Sequence, residues 1–261
     1  MGSLSTYAEN AILNHVLKVT AFAQPTNLYV AISTTDPTVA GTGITEPVGN
    51  GYARVLCNTW KTAAARLISN SGTIAFPEAT GAWGTIGYYA TFDAATGGNM
   101  ISYGSLAATK TIGFGDNASF QDGSIAVSFN TGGISTYLAN AILDHIFKNT
   151  AYAVPTNVCV AVSSTNPTDT ATGITEPVGN AYARVTFNTW NTSTTGASSN
   201  NGAITFPQAN PAGWGTIAYQ ATFDAATAGN MLFYAALDVA RNIGQLDTPS
   251  FGNGTLNLTI H

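Results

Sequence analysis

The sequence is short of charge. Lys, Arg, Asp and Glu make up 8% of its 261 residues, where an ordinary soluble protein carries about 25%. Long exposed helices, coiled coils and charge-rich disordered tails need more than that. Eight Lys and Arg against thirteen Asp and Glu leave a net charge of −5. That is too little positive charge to neutralise a nucleic-acid backbone. No run of about 18 apolar residues appears, so no membrane-spanning helix is expected. The opening MGSLSTYAEN has no basic segment followed by an apolar stretch, which predicts no secretory signal. The two cysteines, Cys57 and Cys159, have neither metal-site nor redox spacing. Three histidines, His15, His145 and His261, leave little material for acid–base catalysis. No cofactor, no metal and no catalytic residue is expected.

What is there is one unit written twice. LSTYAENAILNHVLK from Leu4 returns 130 residues later as ISTYLANAILDHIFK from Ile134. GITEPVGNGYARV at Gly43 returns as GITEPVGNAYARV at Gly173, at the same offset. WGTIGYYATFDAATGGNM at Trp83 returns as WGTIAYQATFDAATAGNM at Trp214, one residue further on. The insertion fits the change from FPEATGAW to FPQANPAGW. Two copies of one sequence imply two copies of one fold. The expected domains are 1–131 and 132–261. The junction is so short that the two should touch.

Each repeat opens with a helix. Ser5 or Thr6 can cap the first, Ser135 or Thr136 the second. Leu4, Tyr7, Ala8, Ala11, Ile12, His15 and Val16 form one stripe at helical spacing, and Pro25 and Pro155 lie beyond the helix ends. After that the pattern is β. Segments 27–33, 52–59, 72–76, 85–92, 99–105 and 124–130 read as strands, most of them bounded by Gly, Pro, Asn or Asp. The clearest hairpin turn is FDAATGGNM at 92–100. The expectation is a mainly β protein of two similar antiparallel β-sandwich domains, each with one N-terminal amphipathic helix. A small barrel would give a similar pattern.

Few polar constellations recur. Glu46 with Arg54, and Glu176 with Arg184, keep the spacing E-P-V-G-N-x-Y-A-R in both copies. They read as an ion pair pinning the loop to its following strand, or as a loop that meets a neighbouring subunit through arginine. The internal pair is the preferred reading. Asp93 and Asp224 read as turn residues whose carboxylates accept backbone N–H groups. The sequence around them lacks the dense oxygen ligands of a calcium site. His15 and His145 read as packed histidines, because no acid recurs beside them. Trp60, Trp83, Trp190 and Trp214 recur in pairs. Exposed, they would suit a sugar or a subunit; buried, they are core. Cys57 and Cys159 each replace an aromatic residue of the other copy and read as small hydrophobes.

The order of these motifs carries a resemblance. LSTYAENAILNHVL, NLYVAISTTDPT, TEPVGNGYAR, SNSGTIAFPEAT, WGTI and FDAATGGNMISYGSL together resemble small domains of tailed-bacteriophage structural proteins, of the tail-fibre or virion-associated type. The resemblance spans nearly all of each repeat. It implies a virion component without enzymatic activity or cofactor, working through contacts with other virion proteins of capsid or tail. Carrying two copies is a departure from the usual single domain. Within that reading, a tail-fibre component competes with a capsid decoration (cement) protein. The chain shows no heptads or collagen-like period of a fibre shaft. The alternative is a carbohydrate-binding module recognising a host-surface glycan through Trp60 and Trp190. An enzyme ranks last, since no acid pair recurs. An acidic protein suits the particle exterior better than packaged DNA. Assembly in the host cytoplasm, in several copies or as a homo-oligomer, is the remaining expectation.

Overall fold

In the computed structural model, which describes residues 2–260, each repeat becomes one helix and a set of antiparallel strands. His261 lies outside the described residues. The first repeat holds β1 (Ser3–Leu4), α1 (Thr6–Val16), β2 (Tyr29–Ser33), β3 (Val55–Leu56), β4 (Leu67–Ser69), β5 (Ile74–Glu78), β6 (Gly84–Phe92), β7 (Met100–Ile112), β8 (Asn117–Phe120) and β9 (Ala126–Ser128). The second holds α2 (Thr136–Phe147), β10 (Cys159–Ser163), β11 (Val185–Thr186), β12 (Ala197–Ser199), β13 (Ile204–Thr205), β14 (Gly215–Phe223), β15 (Met231–Ile243), β16 (Ser250–Phe251) and β17 (Asn257–Thr259). The main sheets run β1-β7-β6-β2-β3 and β11-β10-β14-β15. The opposing layer of each sandwich is two separate ribbons, β4–β9 with β5–β8 and β12–β17 with β13–β16. The fold is therefore mainly β, in two similar antiparallel sandwiches, each led by a helix.

Alternation along the strands fills each sandwich. Leu28, Val30 and Ile32 point to the interior, as do Ile68, Ile74, Phe76, Ile125 and Val127 from the ribbons. Ala31 faces the other way and joins Ala90, Phe92 and Met100 in a small cluster on the outer side of the sheet. The helices begin where expected: Ser5 Oγ accepts the Ala8 N–H at 3.2 Å and Ser135 Oγ accepts that of Leu138 at 3.1 Å, each satisfying one orphan donor of the first turn. Past each helix end, Lys18 and Asn149 take left-handed backbone angles, which stops the helix well before either proline.

Some elements differ from the sequence reading. Segment 52–59 pairs only at Val55–Leu56, because Asn58 Oδ1 takes the Leu28 N–H and Tyr52 N–H closes on Gly49 O. β7 runs to Ile112 instead of stopping at 105; its outer half is polar and exposed, so no apolar alternation marks it. The buried face of α1 is Ala8, Glu9, Ile12, Leu13, His15 and Val16, with Tyr7 exposed. The face is wider than the single stripe because α1 packs on its own β7 and also on β12 of the other repeat.

That exchange is reciprocal. Asn10 Oδ1 accepts Ser193 Oγ at 2.8 Å and Gly196 N at 2.9 Å, and Asn14 Oδ1 accepts Ser193 N at 2.8 Å. From the other helix, Asn140 Oδ1 accepts Arg66 N and Asp144 Oδ1 accepts Ala63 N, both at 2.8 Å. Strand pairing stays within each repeat, but the apolar core runs through both. Trp60 of the first repeat lies 4.6 Å, ring to ring, from Phe147 of the second.

At the centre, His15 and His145 lie 5.0 Å apart, ring to ring. His15 Nδ1 accepts the Phe22 N–H at 3.0 Å, and its Nε2 donates to Tyr152 O at 2.8 Å. His145 Nδ1 accepts the Tyr152 N–H at 3.0 Å, and its Nε2 donates to Phe22 O at 3.1 Å. A backbone N–H can only donate, so each Nδ1 is bare and each ring is the neutral Nε2–H tautomer. Burial, and to a lesser degree His15, hold His145 below its ordinary value of 6.5, against the Phe22 carbonyl contact that raises it. The unfolded chain thus binds more protons than the folded one, and this contribution is lost as pH falls below about 6.5. Glu9 acts in the opposite sense. Burial raises its carboxyl from 4.5 to about 7, so its contribution is present below 4.5 and lost as pH rises through 7. In a Glu9→Gln variant the thermal midpoint should fall monotonically from pH 7.5 to pH 5. The wild type should show a flatter profile, and adding His145→Gln should remove most of the slope.

Candidate functional site

The Glu–Arg motif and the Asp turn, distant in sequence, form one site. Its base is the outer cluster of Ala31, Ala90, Phe92 and Met100, and Ile44 covers it from the loop that follows β2. Ser33 folds that loop back: its Oγ donates to Thr35 O at 2.7 Å and accepts Thr45 N at 2.9 Å. Gly43 is required there, since a Cβ would stand 2.2 Å from Asp36 O.

Arg54 then ties the loop down. Its Nε reaches Glu46 Oε1 and Oε2 at 3.1 and 3.0 Å, and its Nη2 reaches Oε1 at 2.6 Å. Nη1 donates to Ala94 O at 3.0 Å and Gly97 O at 2.7 Å. The guanidinium carbon sits 3.5 Å over the Phe92 ring. Tyr52 Oη donates to Glu46 Oε2 at 2.7 Å; burial and the Glu46 carboxylate push that phenol well above its usual range. The turn beneath is closed by Asp93, which accepts the Asn99 backbone N–H at 2.7 Å and its Nδ2 at 2.8 Å. One arginine therefore satisfies a carboxylate, two turn carbonyls and an aromatic face. Only a planar fork with five donors can do this.

The second repeat rebuilds the arrangement. Arg184 Nη2 meets Glu176 Oε1 at 2.6 Å, Nη1 meets Ala225 O at 3.1 Å and Ala228 O at 2.7 Å, and the guanidinium lies 3.5 Å over Phe223. Asp224 closes its turn on Asn230 at 2.7 Å. Both copies then present the tip P-V-G-N. Gly49 and Asn50 take left-handed angles. Asn50 O accepts Thr80 N at 3.0 Å and Trp83 Nε1 at 2.8 Å. On this anchored turn the valine points outward: Val48 is 91% exposed and Val178 92%.

Trp60 and Trp190 stand elsewhere. Each is 5% exposed, and each donates its indole N–H to a carbonyl three residues back, Cys57 O at 2.9 Å and Phe187 O at 3.1 Å. Neither offers a ring face to a sugar. Cys57 and Cys159 are buried free thiols, and burial pushes Cys57 up to about 11. Among the described residues, no group of three or more His, Cys, Asp or Glu is placed to hold a metal ion.

Sequence reading passed over Arg66. It has no counterpart, since Gly196 occupies its place. Buried at the junction, it donates to Ile134 O at 2.6 Å and to Asn130 O, and lies 3.4 Å from Asp169. Asp169 in turn accepts Gly132 N at 3.0 Å. A lone arginine after three alanines carried no repeat signal to mark it.

The fold is a duplicated, mainly β scaffold, and the motif order resembles that of phage virion proteins. A family model described as Podophage GP4 fiber I protein gp80 matches residues 3–128 and again 133–259. The chain belongs to that family, and it is a phage virion fibre protein built as a tandem duplication. No curated protein matches it.

Replacing Arg54 by Lys keeps the charge but loses the fork and the stacking. It should destabilise the protein by about 2 kcal/mol. Amide exchange should accelerate at 94–97 and 44–48 while β4–β9 stays protected, as mass spectrometry would resolve.

Proposed function

We propose that the chain is a non-enzymatic component of the particle exterior that works through protein–protein contacts, with the loops carrying Val48 and Val178 as its contact points. The observation behind this reading is the twofold repetition of one unusual arrangement, a nearly fully exposed valine on a loop immobilised from beneath by a bidentate arginine. A single exposed apolar residue is ordinary. Here, however, the loop is ordered before any partner arrives, so docking pays little conformational entropy. The charged groups of the site are engaged with one another, which suits a brace better than a reaction centre.

In this reading residues 1–131 and 132–261 are two domains that act as one rigid body and present two equivalent contacts to neighbouring virion proteins. A tail-fibre position agrees with the family; a capsid decoration role would use the same contacts over the shell. Assembly takes place in the host cytoplasm, from reduced chains. Multiple copies per particle would give each loop pair a repeating partner.

The double variant Val48→Asp and Val178→Asp should fold with stability within about 0.5 kcal/mol of the wild type. Phage carrying it should yield particles depleted of this chain by immunoblot. Full incorporation with normal infectivity would overturn the assignment of the contacts. Immunogold labelling of wild-type particles separates tail from head.

A further inference from the structure

We infer that a second copy of this chain docks on it, with Phe114 in the first repeat of one copy seated in a cleft of the second repeat of the other. The two repeats differ in complementary ways. After β7 the first repeat turns through G-F-G-D and leaves Phe114 81% exposed. The turn is fixed from behind: Asp116 Oδ2 accepts the Gly113 N–H at 2.7 Å, and Gly115 N donates to Ala79 O at 2.7 Å. The ring is thus presented on an ordered turn, so seating it costs little conformational entropy. The second repeat has Gln245 at the same place, in a turn that Asp247 closes on Gly244 at the same distance. The turn therefore does not need the ring for its own geometry. This contact is separate from the loops of Val48 and Val178 and does not depend on their assignment.

The second repeat has the matching hole. Both repeats have a cleft between the outer half of the long hairpin and the adjoining ribbon, about 350 Å³ in the first and about 630 Å³ in the second. The larger one has ample room for a phenyl group. In the first repeat two rings pack on Phe120, Phe76 at 6.2 Å and Tyr89 at 5.8 Å. The counterpart of Phe120 is Phe251, which meets Phe206 at 6.2 Å. Gln220 stands at the position of Tyr89, and among the described residues no second ring packs on Phe251. Phe206, Trp214 and Phe251 wall the cleft, and Trp214 is half-buried where its twin Trp83 is buried. The Trp214 indole N–H is fixed on Asn180 O at 2.9 Å, which holds that wall in place. An added ring packing edge-on against such walls gains more than its buried area alone. Val239 also lines the cleft and is 60% exposed, where the first repeat has Ala108. Charge is matched as well. Exposed Lys110 and Asp116 flank Phe114 in the chain, and exposed Asp238 and Arg241 line the cleft. Each surface offers one acid and one base to the other. One repeat has the spare ring and the other lacks one, so two copies supply each other's need. A pair that makes both contacts at once closes; a pair that makes one grows into a ring or a filament.

The test is sedimentation velocity of the full chain from about 1 to about 100 μM, where association that grows with concentration is expected. Phe114→Gln installs the second repeat's own residue, and Val239→Asp places a charge in the cleft. Both positions are exposed, so an unchanged thermal transition should show that the fold is intact. Each variant alone should associate about tenfold more weakly or less. Mixed in equal amounts they should form a dimer and nothing larger, because the Val239→Asp chain still supplies Phe114 and the Phe114→Gln chain still supplies the cleft. The Val48→Asp, Val178→Asp chain should associate as the wild type does. A wild type that stays monomeric throughout would overturn the inference. So would association that survives Phe114→Gln, a mixture that stays monomeric, or association lost with the two loop valines.

Discussion

The structure depends on a closed ring of four hydrogen bonds, two of which cross between the repeats and two of which stay within one repeat. His15 accepts a hydrogen bond from the Phe22 backbone N–H and donates one to the Tyr152 carbonyl. His145 does the same with the two partners interchanged. Each backbone segment is thereby read by both imidazoles, and neither repeat can complete the ring alone. Because the groups are buried, an unmade bond would leave a bare donor or acceptor in a low-dielectric interior. Register between the halves is therefore fixed by satisfaction of polar groups, and the apolar contact of Trp60 with Phe147 adds area without needing to supply orientation. The asparagine contacts from α1 and α2 extend the same logic outward.

In a chain with so little charge, several of the charged side chains hold structure together. Arg54 and Arg184 each hold a carboxylate, two carbonyls and a ring. Arg66 grips the junction, and Asp93 and Asp224 close turns. Exposed salt bridges contribute little in water; these pairs are half-buried and bidentate, where a missing partner costs more. The result is a pair of loops tied to their neighbouring turns by arginine hydrogen bonds.

Much of this was legible in the residues. The duplication, the helix caps, the main strands and the E-P-V-G-N-x-Y-A-R spacing all leave periodic or repeated marks. What left none was contact between distant segments. Arg54 meets Ala94 and Gly97 about 40 residues away, so the loop motif and the Asp turn looked like separate features. The buried face of α1 looked narrower than it is, since a stripe counts one packing partner and this helix has two. β4 and β8 are three and four residues long, too short for alternation to register. Arg66 was invisible for the opposite reason to Arg54: it occurs once.

Duplication also explains where the two halves differ. Once the fold, the ring of histidines and the braced loops are each present twice, a change in one copy no longer has to serve both. At 66 and 196 the first copy has an arginine that locks the junction where the second has a glycine. Gly196 has a left-handed angle, and a Cβ there would stand 2.7 Å from Glu9 Oε2. At 89 and 104, against 220 and 235, two neighbouring positions differ together: a ring and a glycine in one copy, an amide and a methyl in the other. A filled interior and an open cleft are alternative solutions on the same backbone. Packing alone favours the filled one, because a void forfeits dispersion contacts and a lone buried acceptor adds to the loss. The open one, in only one repeat, leaves Gln220 Oε1 without a hydrogen-bond partner among the described residues, as are the buried Gln24 Nε2, Arg66 Nε and Tyr152 Oη, and it sits where the two halves are free to diverge.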